Sequence, residues 1–190
     1  QSEVRALIKS CRLCILGLLE TKVKLSNLDT IWKKLALRDW KLENNSECLD
    51  MGRIWIVFNP ARCNVTILQK HQQFIHSRVL IDGIAFYWTL VYGASTPMER
   101  ENLWKDLGDG LTPNTTPWLI QGDFNNVISN NDRIGGQWVN DNMVEQFKSW
   151  ISRLELFELK NHGCRYTWCN NQTGEQRIWR KIDWAFVNGN

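Results

Sequence analysis

Two rhythms of apolar and polar positions run along this chain of 190 residues, and the switches between them mark out its elements. Val4, Leu7, Ile8 and Cys11 recur at helical spacing, with Arg5 and Lys9 on the other side. Residues 2–11 therefore read as a short amphipathic helix that Ser2 can cap. CILGLLE (14–20) follows, an almost continuous apolar run of the kind expected for a strand buried on both faces. Residues 24–50 have weak periodicity and read as loop with room for one short helix. Four strands come next: RIWIVFN (53–59), NVTILQKH (64–71), FIHSRVLI (74–81) and IAFYWTLVYG (84–93). Asp82-Gly83 between the last two is a two-residue hairpin signal, so this pairing is antiparallel.

Pro97 suits the first turn of a helix over residues 98–107, with Leu103, Trp104 and Leu107 on one face. The turn-rich GLTPNTTP (110–117) leads into the strand WLIQGD (118–123). Residues 141–157 predict a second amphipathic helix striped by Met143, Val144, Phe147, Trp150, Ile151 and Leu154. CRYTWCN (164–170) and RIWRKIDWAFVN (177–188) read as strands of a second hairpin closed by NQTGEQ. There is no internal repeat and no interdomain linker. Antiparallel pairs mixed with sheet-covering helices indicate one domain over 1–190, a layered α/β sandwich rather than an alternating parallel fold.

Composition narrows the class. A hydrophobic fraction of 43% and a charged fraction of 23% describe a globular chain, not a disordered one. No run approaches the roughly 18 to 20 apolar residues of a membrane span, so no membrane partner is expected. The opening QSEVRALIKSC lacks a signal-peptide layout. Because the chain opens on Gln1 and stops just after a strand-like run, it reads as a fragment. The net charge of +3 permits nucleic-acid binding without announcing it. Of six cysteines, Cys11 and Cys14 form the one C-x-x-C, unmatched by a second pair; all six read as reduced, mostly packed thiols in a non-oxidising compartment. Large aromatics dominate burial, so most of the eleven tryptophans read as core; Trp138, Trp168, Trp179 and Trp184, beside polar residues, would also fit a surface groove.

Polar chemistry gathers at strand ends. CILGLLE ends at Glu20, WLIQGD at Asp123, and RKID at Asp183. Carboxylates at neighbouring strand tips suit a hard cation such as magnesium; a lone acid such as Glu20 equally suits a solvated strand terminus. In GDFN, Gly122 lets the backbone turn, and the alternation sends Asp123 and Asn125 one way and Phe124 toward the core. A carboxylate there can orient or deprotonate water while an amide donates to a phosphate oxygen. The alternative is an Asx-turn satisfying its own backbone.

LLETK, VYGAS, GDFN, a following DR, YTW and KIDWAFVN stand in an order and at intervals that together resemble the endonuclease/exonuclease/phosphatase family. LLETKV, YGAS followed by R-x-x-LW-x-x-L, PWLIQGDFN and DRIGG look most like the endonuclease domains of plant LINE-type (non-LTR) retrotransposon polyproteins. The resemblance implies a DNase I-like sandwich of two mixed or antiparallel sheets flanked by helices. It implies Mg²⁺- or Mn²⁺-dependent nicking of DNA in the nucleus, by a monomeric domain followed by a reverse transcriptase. Glu20 would bind the metal and Tyr92 contact the scissile phosphate. Asp123 would position or deprotonate the attacking water, and Asn125 would hold the phosphate or that water. Asp183 would orient a histidine, with Thr167 supporting the cluster. Arg133, Arg177, Arg180 and Lys181 would either contact phosphate or form a solvated surface.

Family members begin with a W-N-x-R-G-type strand and end with an S-D-H stretch, and residues 1–190 contain neither. His71, His76 and His162 lie outside that context and read as structural or exposed. The expectation for this chain is a fold truncated at both ends with weak or no activity. Its alternatives are a non-catalytic remnant or a phosphatase or phosphodiesterase of the same family.

Overall fold

The computed structural model describes residues 2–49, 51–108, 111 and 115–189; half of the expected linker at 110–117 lies outside the described residues. The chain divides into two compact units, Gln1–Tyr92 and Gly93–Asn190, with the boundary inside VYGAS.

The first unit contains α1 (Ser2–Ser10), β1 (Ile15–Lys24), α2 (Leu28–Leu35), β2 (Lys41–Asn44), β3 (Met51–Phe58), β4 (Cys63–Lys70), β5 (Phe74–Ile81) and β6 (Ile84–Tyr92). Strand β3 lies between β1 and β2, antiparallel to both. Its alternation divides the core. Trp55 and Val57 point to one face, where Leu18, Val4, Leu28, Ile31 and Trp32 close over them, so the two helices cover that side. Ile54 and Ile56 point to the other face and are fully buried. There Gly17 leaves room for Leu90 of β6, whose side chain would stand 2.6 Å from a Cβ at position 17. Strands β4, β5 and β6 form an antiparallel meander. Its second turn is Asp82-Gly83, with φ of 51° and 82°, the left-handed pair that a tight hairpin needs.

The second unit contains α3 (Pro97–Asp106), β7 (Trp118–Asp123), β8 (Arg133–Ile134), α4 (Asp141–Arg153), β9 (Phe157–Glu158), β10 (Trp168–Cys169), β11 (Trp179–Arg180) and β12 (Asp183–Val187). Strand β12 pairs antiparallel with β7 on one side and β9 on the other, and β11 pairs with β8 and β10. Helices α3 and α4 bring Trp104, Phe147 and Trp150 against Phe124, Trp184 and Phe186. The ring centroids stand 4.9 Å apart for Trp104–Phe147 and 5.4 Å for Phe124–Phe147.

Several expectations change. CILGLLE is only partly buried because β1 is the edge of its sheet, and Glu20 is exposed. Within residues 24–50 the short helix the sequence allowed is α2, with Leu28, Ile31, Trp32 and Leu35 along one stripe, but the segment also holds β2, which KLEN does not announce. Helix α4 stops at Arg153, because Glu155 takes φ 51° and turns the chain so that Leu156 can be buried. RIWRKIDWAFVN is two strands serving different partners, not one. Trp184 is core, not groove, whereas Trp138 is 83% exposed. The thiols are free, but Cys11 and Cys164 are exposed and only Cys63 is buried. Among the described residues, no helix is long and apolar enough to cross a membrane.

Candidate active site

The residues singled out by sequence fall on both units. In the first, Glu20 sits where β1 departs from its pairing with β3, between Leu19 and Val23, and takes φ 55°. Bulges of this kind re-aim side chains. Here the bulge carries Glu20 Oε1 to 2.6 Å from the Tyr92 hydroxyl, which donates to it. Lys22 Nζ lies 3.4 Å from the other carboxylate oxygen, and the Arg53 guanidinium stands 5.7 Å from the centre of the Tyr92 ring. Tyr92 is only 8% exposed, so its hydroxyl is committed to Glu20 rather than held out in solvent.

The Tyr92 hydrogen bond holds the Glu20 carboxyl below its ordinary range; burial opposes it, and Lys22, by charge and hydrogen bond, and the charge of Arg53 add to the lowering. A lowered folded-state value stabilises the fold at pH above the ordinary glutamate range and is lost as the pH falls through the lowered value. Tyr92→Phe removes the largest of these causes. A carbon-detected NMR titration should then show Glu20 titrating at higher pH than in the parent chain; an unmoved midpoint means that the hydroxyl does not set this carboxylate's charge.

His71 Nδ1 accepts from the Gln73 amide at 3.2 Å, buried His76 meets Thr89 Oγ1 at 2.8 Å, and His162 is exposed. All three are therefore structural or exposed, as the sequence implied.

In the second unit, β7 ends at Asp123 opposite Asp183, the first residue of β12. Gly122 takes φ 142°, a region L side chains rarely enter. Phe124 is fully buried. Asp123 and Asn125 are joined by an Asx-turn, with the Asn125 amide N–H donating to Asp123 Oδ1 at 2.8 Å. The turn does not exhaust either side chain. Asn125 takes φ 49° and sends its Nδ2 to the Gly93 carbonyl at 2.7 Å, while the Gly93 N–H donates to the Asp123 carbonyl at 2.7 Å. Gly93 can sit so close only because it lacks a Cβ, which would lie 2.7 Å from the Phe124 carbonyl oxygen. Thr167 Oγ1 accepts from the backbone N–H groups of Ile182 and Asp183, at 3.2 and 3.1 Å, and so fixes the start of β12.

The basic residues separate. Arg180 is half-buried, with its Nε making no hydrogen bond, and burial with the charge of Arg133 pushes its guanidinium down while Asp123 opposes this. Arg133 donates Nε to the Gly135 carbonyl at 2.9 Å. Arg177 is exposed, donates to the Gln172 carbonyl at 2.7 Å and lies over Trp179. Lys181 departs from the expected phosphate contact and solvated surface alike. It is buried, ion-paired to Glu158, and its Nζ lies 4.2 Å from the Trp184 ring centre. One residue was missed: Arg100, 2% exposed, faces Asp123 and Arg180 from α3. Helical arithmetic could have found it, since Arg100, Leu103, Trp104 and Leu107 share one face.

Among the described residues, no three His, Cys, Asp or Glu side chains gather as a cage for a metal. Magnesium does not require one, and the half-exposed carboxylate of Glu20 is the type of oxygen donor it takes together with waters.

No protein-family model matches the chain, and no curated protein does. Solved structures do. The endonuclease domain of TRAS1, a telomere-specific non-LTR retrotransposon, is 12% identical, with a TM-score of 0.67 over 99% of this chain and 78% of that one. D. rerio TDP2 complexed with single-strand DNA product is 13% identical, with a TM-score of 0.61 over 98% and 75%. ANGEL2, a 2′,3′-cyclic phosphatase, is 11% identical, with a TM-score of 0.58 over 99% and 73%. Together they show that this chain has a DNase I-like fold.

Proposed function

We propose that the chain is the nuclease portion of a non-LTR retrotransposon protein, hydrolysing a DNA phosphodiester in a Mg²⁺- or Mn²⁺-dependent reaction that leaves a 3′-hydroxyl to prime reverse transcription. The observation that carries this reading is the junction at the end of β7. Asp123, Asn125 and Gly93 are locked together there beside two buried or half-buried guanidinium groups. The Asx-turn fixes the Asp123 carboxylate so that it can orient and deprotonate a water. The Gly93 carbonyl fixes the Asn125 amide, which steadies the phosphate, and Arg180 balances its charge. Tyr92 holds the carboxylate of Glu20 in its charged form. Glu20 is the carboxylate that would hold Mg²⁺ together with waters, and the ion would supply positive charge to a phosphate. Asp183, fixed by Thr167, forms the second carboxylate of this rim.

Similarity to a retrotransposon endonuclease and to a structure carrying single-strand DNA supports DNA as the substrate. The same reading puts the native protein in the nucleus, monomeric, with a reverse transcriptase following. Similarity to a cyclic phosphatase favours a second reading, a phosphodiesterase acting on a smaller substrate. Supercoiled plasmid incubated with the chain and Mg²⁺, with an EDTA control, separates them. We expect weak Mg²⁺-dependent nicking, with 3′ ends that a polymerase can extend. Hydrolysis of a 2′,3′-cyclic phosphate or a phosphoinositide without nicking would overturn the DNA reading, and no hydrolysis of any of these would leave a non-catalytic remnant.

A further inference from the structure

Arg100 is placed where a cation is costly. It lies in the first turn of α3, where the helix dipole is positive, and it is 2% exposed. Among the described residues, its guanidinium makes no ion pair at contact distance. Instead Nη1 donates to two successive backbone carbonyls, Ala94 at 2.6 Å and Ser95 at 2.9 Å. Burial and the charge of Arg180 push this guanidinium down to about 10, opposed by the charge of Asp123, so at neutral pH it remains a buried cation. A core residue of that volume is more cheaply apolar, since an unpaired buried charge is strongly destabilising. What the cation does here is grip the two carbonyls directly after Gly93, the residue whose own carbonyl holds the Asn125 amide at 2.7 Å.

We propose that Arg100 is a positioning residue for the reaction, clamping the Gly93–Ser95 backbone so that the Gly93 carbonyl sets the orientation of the Asn125 side chain. Its role in catalysis rests on the nuclease reading above; its role in holding Asn125 does not. Arg100→Met keeps most of the volume and removes both donors. The segment from Gly93 then loses its clamp, and the Asn125 amide loses a fixed acceptor. Misplacement of a group at a reacting centre by about 1 Å can cost on the order of 100-fold in rate. Arg100→Lys keeps the charge, but its ammonium sits on a shorter, differently shaped side chain and does not reproduce the planar Nη1 that donates to both carbonyls, so it restores the function only in part.

The test has two readouts. Hydrogen exchange at the Asn125 side-chain amide, read by NMR, should be slow in the parent chain, fast in Arg100→Met and intermediate in Arg100→Lys, with the rest of the amide spectrum retained. Plasmid-nicking kinetics should show kcat lowered roughly 10- to 100-fold in Arg100→Met with KM within about threefold. Parent-like exchange at Asn125 in folded Arg100→Met overturns the proposal, as does parent-like kcat. If Arg100→Met does not fold, folded Arg100→Lys decides on the same two readouts: faster exchange with lowered kcat supports the clamp, parent values overturn it. Absence of nicking by the parent chain counts against the nuclease reading alone, and the exchange data still judge the clamp.

Discussion

Asp123→Ala should abolish Mg²⁺-dependent plasmid nicking, lowering it by about 1,000-fold or more, while leaving the melting temperature within a few degrees of the parent. The rate effect follows from what the carboxylate is placed to do. A positioned general base contributes roughly 100- to 10,000-fold, and this one also anchors the Asn125 amide through its Oδ1. The local part of the stability effect is small, because the acceptor lost to the Asn125 amide sits at a partly exposed position and is worth on the order of 1 kcal/mol; loss of the charge facing Arg100 and Arg180 adds to it. Asp123→Asn separates the two contributions. An asparagine Oδ1 can accept the same hydrogen bond and keep the Asx-turn, so Asp123→Asn should fold as well as the parent and still fail to nick. Activity in Asp123→Asn within tenfold of the parent would falsify the general-base role. It would leave Asp123 as a turn residue, the alternative that its spacing from Asn125 offers.

The parts of this molecule legible in its sequence are those that neighbouring residues decide. The Asp82-Gly83 hairpin needs two left-handed residues in succession, and asparagine, aspartate and glycine tolerate that region best. Helix α3 starts at Pro97, and the Trp118–Asp123 strand has a glycine with positive φ one residue before its end. The GDFN alternation fixed which way Phe124 turns. What could not be read is what distant partners decide. Strand β2 exists because KLEN pairs with the strongly apolar β3, not through any β propensity of its own. Strands β8 and β9 are two-residue bridges that appear only once β11 and β12 are in place.

The site shows the same division. Asp123, Asn125 and the turn between them are local, and their arrangement follows from four consecutive residues. That Tyr92 would spend its hydroxyl on Glu20, 72 positions away, is not in either local pattern. Lys181 is the clearest case. In RKID it looks like an exposed cation beside an acid. The link between β11 and β12 instead carries it inward together with Ile182, where Glu158 neutralises it and the Trp184 face receives its ammonium. A buried charge between two strands is legible only once its partner is known, and Glu158 lies 23 residues earlier on a strand that the sequence does not announce.

Phe124→Ala should be the most destabilising single substitution in the second unit. Phe124 is fully buried, and its ring centre lies 5.4 Å from Phe147, 5.6 Å from Phe186, 5.9 Å from Trp150 and 6.3 Å from Trp104. These rings come from α3, α4 and β12, so the cavity left by truncation is walled by elements that cannot all move inward together. Phenylalanine-to-alanine changes in such cores cost about 3 to 5 kcal/mol, against a total stability on the order of 5 to 15 kcal/mol. A fall of roughly 10 °C in the melting temperature should follow, together with a weaker near-ultraviolet circular dichroism signal from the tryptophans that pack there. The consequence reaches the chemistry, because Phe124 is the anchor between Asp123 and Asn125. When its side chain no longer fills the core, the two polar groups lose the alternation that turns both outward. Phe124→Leu, which refills most of the volume, should recover over half of the lost stability and most of the nicking. Guanidinium unfolding followed by tryptophan fluorescence checks the order parent, Phe124→Leu, Phe124→Ala, and a loss below about 1.5 kcal/mol for the alanine variant would mean that this aromatic cluster relaxes to fill the space.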